Sequence, residues 1–345
     1  MRVKLEEVCS RGSSNLMKKE VASMDGKYPI YGASGQIGTA NFYHQEKPYV
    51  AVVKDGAGIG RTMLLPAYSS VIGTLQYLIP KHNVLPDYLC YVVQYMNLAK
   101  YSSGATIPHI YFRDYKNEEF NLASVDRQQE IVTTLNKIQR IITRRRTQLS
   151  KLDELIKCRF VEMFGDSQCS YSQIQSIAED VFAGGDKPKD TIKTKDTSHP
   201  YPVFANGELN QGLQGYSRLC RVDKKAITVS ARGTIGYCCI RDAGFTPIVR
   251  LITLIPKPNI NLTYLSEAIK FIGVGASGAV QAQLTVPDFK KIKIPLPSIN
   301  SQITFASFVR RIDKFKFAYF LFTLITVLQK NYYILLEFFQ SVFLF

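Results

Sequence analysis

Between residues 126 and 166 the apolar positions Ile131, Leu135, Ile138, Ile142, Leu149, Leu152, Ile156, Phe160 and Met163 recur three or four apart, except where Arg145 takes the expected place. That spacing is a heptad seam on one face of a helix. No Gly or Pro interrupts it before Gly165, Asp126 is placed to cap its start, and Gln129 stands where a capping box puts its acceptor. From Ile131 to Met163 such a helix runs roughly 50 Å at about 1.5 Å per residue. A helix of that length with so narrow a seam cannot bury itself in one compact domain, so it is expected to pair with another long helix and hold two things apart.

The flanking patterns are different. In residues 1–122 the runs Tyr49 to Val53 and Leu75 to Ile79 are strand-like, Asp55 to Gly60 is a Gly-rich turn, and Pro86 to Lys100 reads as a helix. Residues 167–296 repeat this stretch. A shift of 176 positions aligns Val53 with Val229, Ile59-Gly60 with Ile235-Gly236, Leu78 to Lys81 with Leu254 to Lys257, and Tyr88-Leu89 with Tyr264-Leu265. Over positions 53–89 there are 13 identities, where chance supplies about 2. At a shift of 174 the match continues through Ser124 with Ser298, Gln128 with Gln302 and Ile138 with Ile312, so the helix is repeated as well.

The predicted order is a domain at 1–122, a spacer helix at 123–166, a second domain at 167–296 and a second helix at 297–345. In that last helix Phe305, Val309 and Ile312 take the seam positions of Ile131, Leu135 and Ile138, but Lys316 falls where Ile142 would be. From Phe317 to Phe345 nearly every residue is apolar, interrupted chiefly by Gln329, Lys330, Asn331 and Glu337. The longest apolar run there, Phe317 to Leu328, is short for a membrane span of roughly 20 residues. No membrane is expected, and a membrane-associated structural protein anchored by 317–345 stands as an alternative.

Charge narrows the partners. A net charge of +15 and a pI near 9.4 favour a polyanion. Seven Cys, an odd number with no CxxC pair, read as reduced thiols of a cytoplasmic protein, and four scattered His (44, 82, 109 and 199) make no metal site. The opening MRVKLEEVCSRG lacks the apolar core of a signal peptide.

The candidate chemistry is one of contact. Lys54 to Arg61 has Arg where a GxGxxG loop needs its last Gly, and no Walker sequence occurs. Phe271 to Gly275 has the FxGxG form that adenine methyltransferases use for the methyl donor, but no NPPY, NPPF or DPPY sequence accompanies it. A methyltransferase-like enzyme is the rival reading from another class. Arg144 to Arg146 read as a solvated helix face, or as a contact for DNA phosphates or an acidic partner surface, and His109 as a loop side chain without a catalytic task. No nucleophile or carboxylate pair recurs in both domains, and no catalytic residue, cofactor or metal is assigned. Each domain instead offers a Gly-rich turn with basic neighbours, Lys54 and Arg61 in the first and Lys224, Lys225 and Arg232 in the second. Each also has a small polar loop, with Ser103 and Thr106 in the first and Ser277 and Gln281 in the second. Lys and Arg neutralise phosphates, and Arg, Gln, Ser and Thr read base edges, so these residues are the candidate DNA contacts.

Taken together the repeat, the long helices and several phrases resemble the specificity subunit of type I restriction-modification systems. The phrases are Tyr28-Pro-Ile-Tyr-Gly32 and Tyr201-Pro-Val-Phe204, the GxIG-like turns ending at Gly60 and Gly236, and Ile294-Pro-Leu-Pro-Ser-Ile-Asn-Ser-Gln302 with its first-copy partner Phe120 to Gln128. Met163-Phe-Gly-Asp166 closes the first helix in the manner of relatives, and the resemblance spans residues 1 to about 316.

It implies an α+β protein with two similar mixed α/β target recognition domains, separated by two long helices that form an antiparallel coiled coil. Each domain would read one half of a bipartite site on double-stranded DNA, with the helices as a ruler. The subunit would be non-catalytic, holding two modification subunits that carry S-adenosylmethionine and, through them, a restriction subunit. The apolar end departs from the charged, heptad-patterned tail of the family and reads as a divergent or truncated end. In the first copy, Leu-Ala-Ser also replaces the usual Leu-Pro-Pro before the Gln.

Overall fold

The computed structural model describes residues 1–104, 107–165, 169–274, 283–319 and 321. They form two compact units, one holding Met1–Arg145 and the other Arg146–Leu321. The division falls inside the long helix, because each half of it packs on a different core.

The first unit is built on a four-stranded sheet, in the order β2 (Cys9–Ser13), β8 (Leu75–Pro80), β5 (Tyr49–Val53), β6 (Thr62–Leu65). Central strand β5 is an unbroken apolar run because both of its faces are covered. Val50 and Val52 point into one core, with Tyr88, Leu89, Val92 and Val93 of helix α3 (Pro86–Tyr95), while Tyr49, Ala51 and Val53 point into a second core with Ile30 and Leu65. A three-stranded sheet, β4 (Gly35–Ala40), β3 (Tyr28–Gly32) and β7 (Ser70–Val71), bounds the second core, and β1 (Arg2–Lys4) pairs with β9 (Glu119–Asn121). Short helices α1 (Leu5–Val8), α2 (Lys18–Val21) and α4 (Phe112–Tyr115) link these pieces.

The second unit repeats all three sheets: β11 (Ala178–Ala183), β17 (Ile252–Pro256), β14 (Ala226–Val229), β15 (Cys238–Arg241); then β13 (Leu213–Ser217), β12 (Tyr201–Phe204), β16 (Thr246–Pro247); and the pair β10 (Tyr171–Gln173) with β18 (Lys293–Pro295). Its helices are α6 (Ile174–Ile177), α7 (Leu262–Ile272), α8 (Val286–Lys291) and α9 (299–319). One register differs from the gap-free alignment. Val52 stands opposite Thr62, and Val229 stands opposite Cys238. The structural counterpart of Val229 is therefore Val52, not Val53, and the second turn is one residue shorter.

Helix α5 (Val125–Phe164) runs unbroken for 40 residues. Its cap is not Asp126, which lies in the first turn, nor does Gln129 close a capping box. Ser124 supplies the cap, its Oγ accepting from Arg127 N at 3.4 Å, and Ser298 does the same for α9 through Ser301 N at 3.3 Å. The helix expected to reach Lys100 ends at Tyr95, because Asn97 turns left-handed at φ 49° and a separate short 3-10 turn follows.

The nine apolar residues of the seam do not act as one stripe. Ile131 is buried and Leu135 half-buried in the α3 core of the first unit. Ile138 is buried, while Ile142 and Leu149 are half-buried. In the second unit Leu152, Ile156, Phe160 and Phe164 meet Phe305, Val309 and Ile312 of α9 together with Tyr264 of α7. There α5 and α9 run antiparallel: the rings of Phe164 and Phe305 lie 5.5 Å apart, and three turns away Lys316 Nζ reaches Asp153 Oδ1 at 2.6 Å. No described helix is long and apolar enough to cross a membrane, and the apolar stretch 322–345 lies outside the described residues.

Candidate nucleic-acid interface

Three loops come together at one end of each unit. In the first, the turn from Lys54 to Arg61 is closed by Gly60 N donating to Val53 O at 2.9 Å. Gly60 has φ 78°, and a Cβ there would stand 2.7 Å from Ala99 N, so both the turn and the close approach require glycine. Gly236 takes the same place in the second unit with φ 84°, Gly236 N donating to Ser230 O at 2.9 Å. The segment that follows the polar loop joins this turn in both copies: Ile110 N donates to Lys54 O at 2.9 Å, and Leu284 N to Ala231 O at 3.0 Å. The tip of the small-sheet hairpin is the third member. Arg61 Nη1 donates to Ala33 O at 2.9 Å, and Asn206 Oδ1 accepts from Ala231 N at 2.7 Å.

The expected contacts separate into groups. Arg61 and Arg232 are exposed beside equivalent turns, Arg232 Nη2 donating to Gln283 Oε1 at 2.7 Å. Lys54 is half-buried and its ammonium bonds Asp55 at 2.5 Å, so part of its charge is already matched. Ser103 is exposed and its loop is pinned by Ser103 N donating to His109 O at 2.9 Å and His109 N to Ser103 O at 2.8 Å. Thr106, Ser277 and Gln281 lie outside the described residues.

Lys224 and Lys225 do not belong with Arg232. They precede β14 whereas the turn follows it, and four strand residues put them roughly 13 Å from the turn at about 3.3 Å per residue. At that far end Lys224 pairs with Glu179, and Lys225 with Asp242 at 3.5 Å. Adjacency in the sequence groups them with the turn because it does not count the intervening strand.

The FxGxG phrase begins inside a helix. Phe271 and Ile272 end α7, Gly273 is its C-cap with φ 68°, and Val274 is buried in the core against the Gly236 turn; Gly275 lies outside the described residues. On α5, Arg144 and Arg146 are exposed and Arg145 half-buried.

Sequence reasoning missed the hairpin tips, residues 32–35 and 205–212, although Asn206-Gly207 is a turn signal that marks the longer one. It also missed Arg241, buried at 4% exposure where the first copy has buried Leu65.

The type I restriction modification DNA specificity domain matches this chain twice, at residues 1–152 and 172–320. A Mycoplasma pneumoniae protein named as a type I specificity subunit is 26% identical over 315 residues, covering 87% of this chain and 85% of that one. Another from the same organism is 39% identical over 132 residues, 38% of this chain and 39% of that protein. Among solved structures, the S subunit of a type I restriction-modification system from M. genitalium superposes with a TM-score of 0.62 at 15% identity, covering 94% of this chain and 91% of its own. A chain from a second type I system superposes with a TM-score of 0.52 at 12% identity, over 94% and 93% of the two chains. Those two likenesses establish the fold. With both domain copies matched and the three-loop cluster present in each, the chain belongs to the family of type I restriction-modification DNA specificity subunits.

Proposed function

We propose that this chain reads a bipartite site on double-stranded DNA, each unit meeting one half-site with its cluster of hairpin tip, GxIG turn and polar loop. The observation that carries this reading is the recurrence of that cluster around Gly60 and around Gly236 in a chain of net charge +15. A surface that exists only to fold has no reason to present an exposed arginine on both turns, Arg61 at the end of one and Arg232 near the start of the other, whereas a reader of two half-sites does.

In this reading the chain is non-catalytic. It docks two modification subunits, which hold S-adenosylmethionine and transfer the methyl group, and a restriction subunit joins through them. The unbroken helix α5, about 60 Å long at 1.5 Å per residue, sets the spacing of the half-sites with α9 as its partner. Mapping of methylated adenines in cells that express this chain with a modification subunit tests the reading. Methylation at two defined half-sites separated by a spacer of fixed length is expected. A single continuous motif, or methyl transfer by this chain alone, would overturn it.

A further inference from the structure

The two hairpin tips differ in length, and the difference is matched residue for residue by the core beneath. In the first unit four residues, 32–35, join Tyr31 to its partner Gln36; in the second eight, 205–212, join Phe204 to Leu213. The strand face below the short tip is apolar, with Ala51, Val53 and Leu65 all buried. At the structurally equivalent positions the second unit has Thr228, Ser230 and Arg241.

Each of these three polar groups is engaged in, or supports, the longer tip. Ser230 Oγ accepts from Gly207 N at 3.2 Å. Arg241 Nη2 donates to Gln211 O at 2.6 Å and Nη1 to Gln211 Oε1 at 3.4 Å, while Nε donates to Thr228 Oγ1 at 2.9 Å and the guanidinium lies 3.8 Å from the centre of the Phe204 ring. Among the described residues no carboxylate pairs with Arg241. A buried cation held only by neutral groups is costly where a leucine would serve the core. The expense is accounted for by what it holds: Asn210 and Gln211 in left-handed conformations at φ 48° and 53°, with Leu209 92% exposed at the summit.

We propose that the tip from Ala205 to Gly212 is a base-reading element of the second half-site, in which exposed Leu209 and Asn210 read an A·T pair in the major groove, and that Arg241 is the positioning residue that fixes it. The proposal rests on the DNA-reading function above. An Asn amide pairs with the N6 and N7 edge of adenine, and an apolar side chain packs on the thymine methyl, so the two residues together suit one A·T pair. The four-residue tip of the first unit has no such projection.

The test is selection from a DNA library randomised in both half-sites, using the full chain assembled with its modification subunit. Wild type is expected to require A·T at one position or more of the second half-site. Leu209→Ala/Asn210→Gly, which removes both side chains and suits the left-handed backbone at 210, is expected to keep its melting temperature and first half-site and to lose roughly tenfold or more of that A·T preference. Arg241→Lys, which keeps the charge and loses the fork, is expected to relax the same positions and no others, an effect that mere loss of stability would not produce. A wild type that selects a bipartite site while both variants select it equally well would overturn the proposal and leave the proposed function standing. A wild type with no sequence preference would overturn both.

Discussion

The side-chain carbonyl of Gln128 accepts the backbone N–H of Leu85 at 2.8 Å, tying the first turns of α5 to the start of α3. The amide nitrogen of the same residue donates to Asn83 O at 3.0 Å and Ala123 O at 2.9 Å, and the side chain is fully buried. Gln302 repeats the clamp, with Oε1 accepting from Asn261 N at 2.9 Å and Nε2 donating to Pro297 O at 3.0 Å. The Gln that ends the phrase Phe120 to Gln128 and its second-copy partner is thus a fastener between spacer helix and domain.

Gln128→Ala and Gln302→Ala should each destabilise their own unit. Truncation strands a buried N–H and buried carbonyls, at about 1–3 kcal/mol for an unsatisfied group. Denaturant unfolding with hydrogen exchange would locate the loss around α3 in one variant and around α7 in the other. Half-site preference in the surviving folded fraction should be unchanged.

The thiols give a second, independent check on the cores. Burial pushes Cys9 and Cys90 up to about 12 and Cys238 up to about 11, so at pH 8 all three stay protonated and shielded. Cys158 is exposed on α5. A thiolate-selective reagent at pH 8 should label Cys158 first and reach Cys9, Cys90 and Cys238 only on unfolding, with mass spectrometry of the digested protein as the readout. Raising the pH to 9 should leave that order intact, because both values lie above it.

What was legible in the sequence follows from where the repeat is kept. The identities Tyr88 with Tyr264 and Lys81 with Lys257 are staples: Tyr264 Oη donates to Pro295 O at 2.5 Å, and Lys81 and Lys257 Nζ donate to Glu6 O at 3.0 Å and Ser176 O at 2.7 Å. Such groups must recur wherever the same fold is built twice, so self-comparison finds them and with them the architecture. The surface cluster is under no such constraint. The tip at 205–212 and Arg241 have no counterpart to align with, and Lys224 and Lys225 were placed by proximity in the chain when a strand separates them from Arg232. The cap was misassigned by two residues because Ser124 and Asp126 are both good capping residues and only the course of the backbone decides between them.

The antiparallel pairing of α5 with α9 is testable through Asp153 and Lys316. Lys316 also lies 3.4 Å from Asp313 on its own helix, and Asp153 is largely exposed. A double-mutant cycle with Asp153→Ala and Lys316→Ala should therefore give a small favourable coupling, about 0.2–1 kcal/mol, that fades with added salt. Zero coupling at low salt would mean that the two side chains do not meet in solution.

The turn arginines and the strand-end lysines should part company on DNA. Arg61 and Arg232 sit in equivalent three-loop clusters, one per unit, and both are exposed. If each reads a base, replacement by Ala should cost about 1–3 kcal/mol of discrimination, relaxing the first half-site for Arg61→Ala and only the second for Arg232→Ala. If an arginine touches phosphate alone, binding should weaken alike for all sequences and the salt slope should fall by about one. Lys224→Ala/Lys225→Ala supplies the contrast within one unit, since these residues lie at the other end of β14 and already face Glu179 and Asp242. That variant should leave the preference at every position of the second half-site as it was, whatever it does to overall affinity. Binding measured against single-base variants of both half-sites at two salt concentrations separates these cases. Relaxed specificity in the lysine variant together with unchanged specificity in Arg232→Ala would place the DNA at the opposite end of the strand and overturn the assignment of the interface to the GxIG turns.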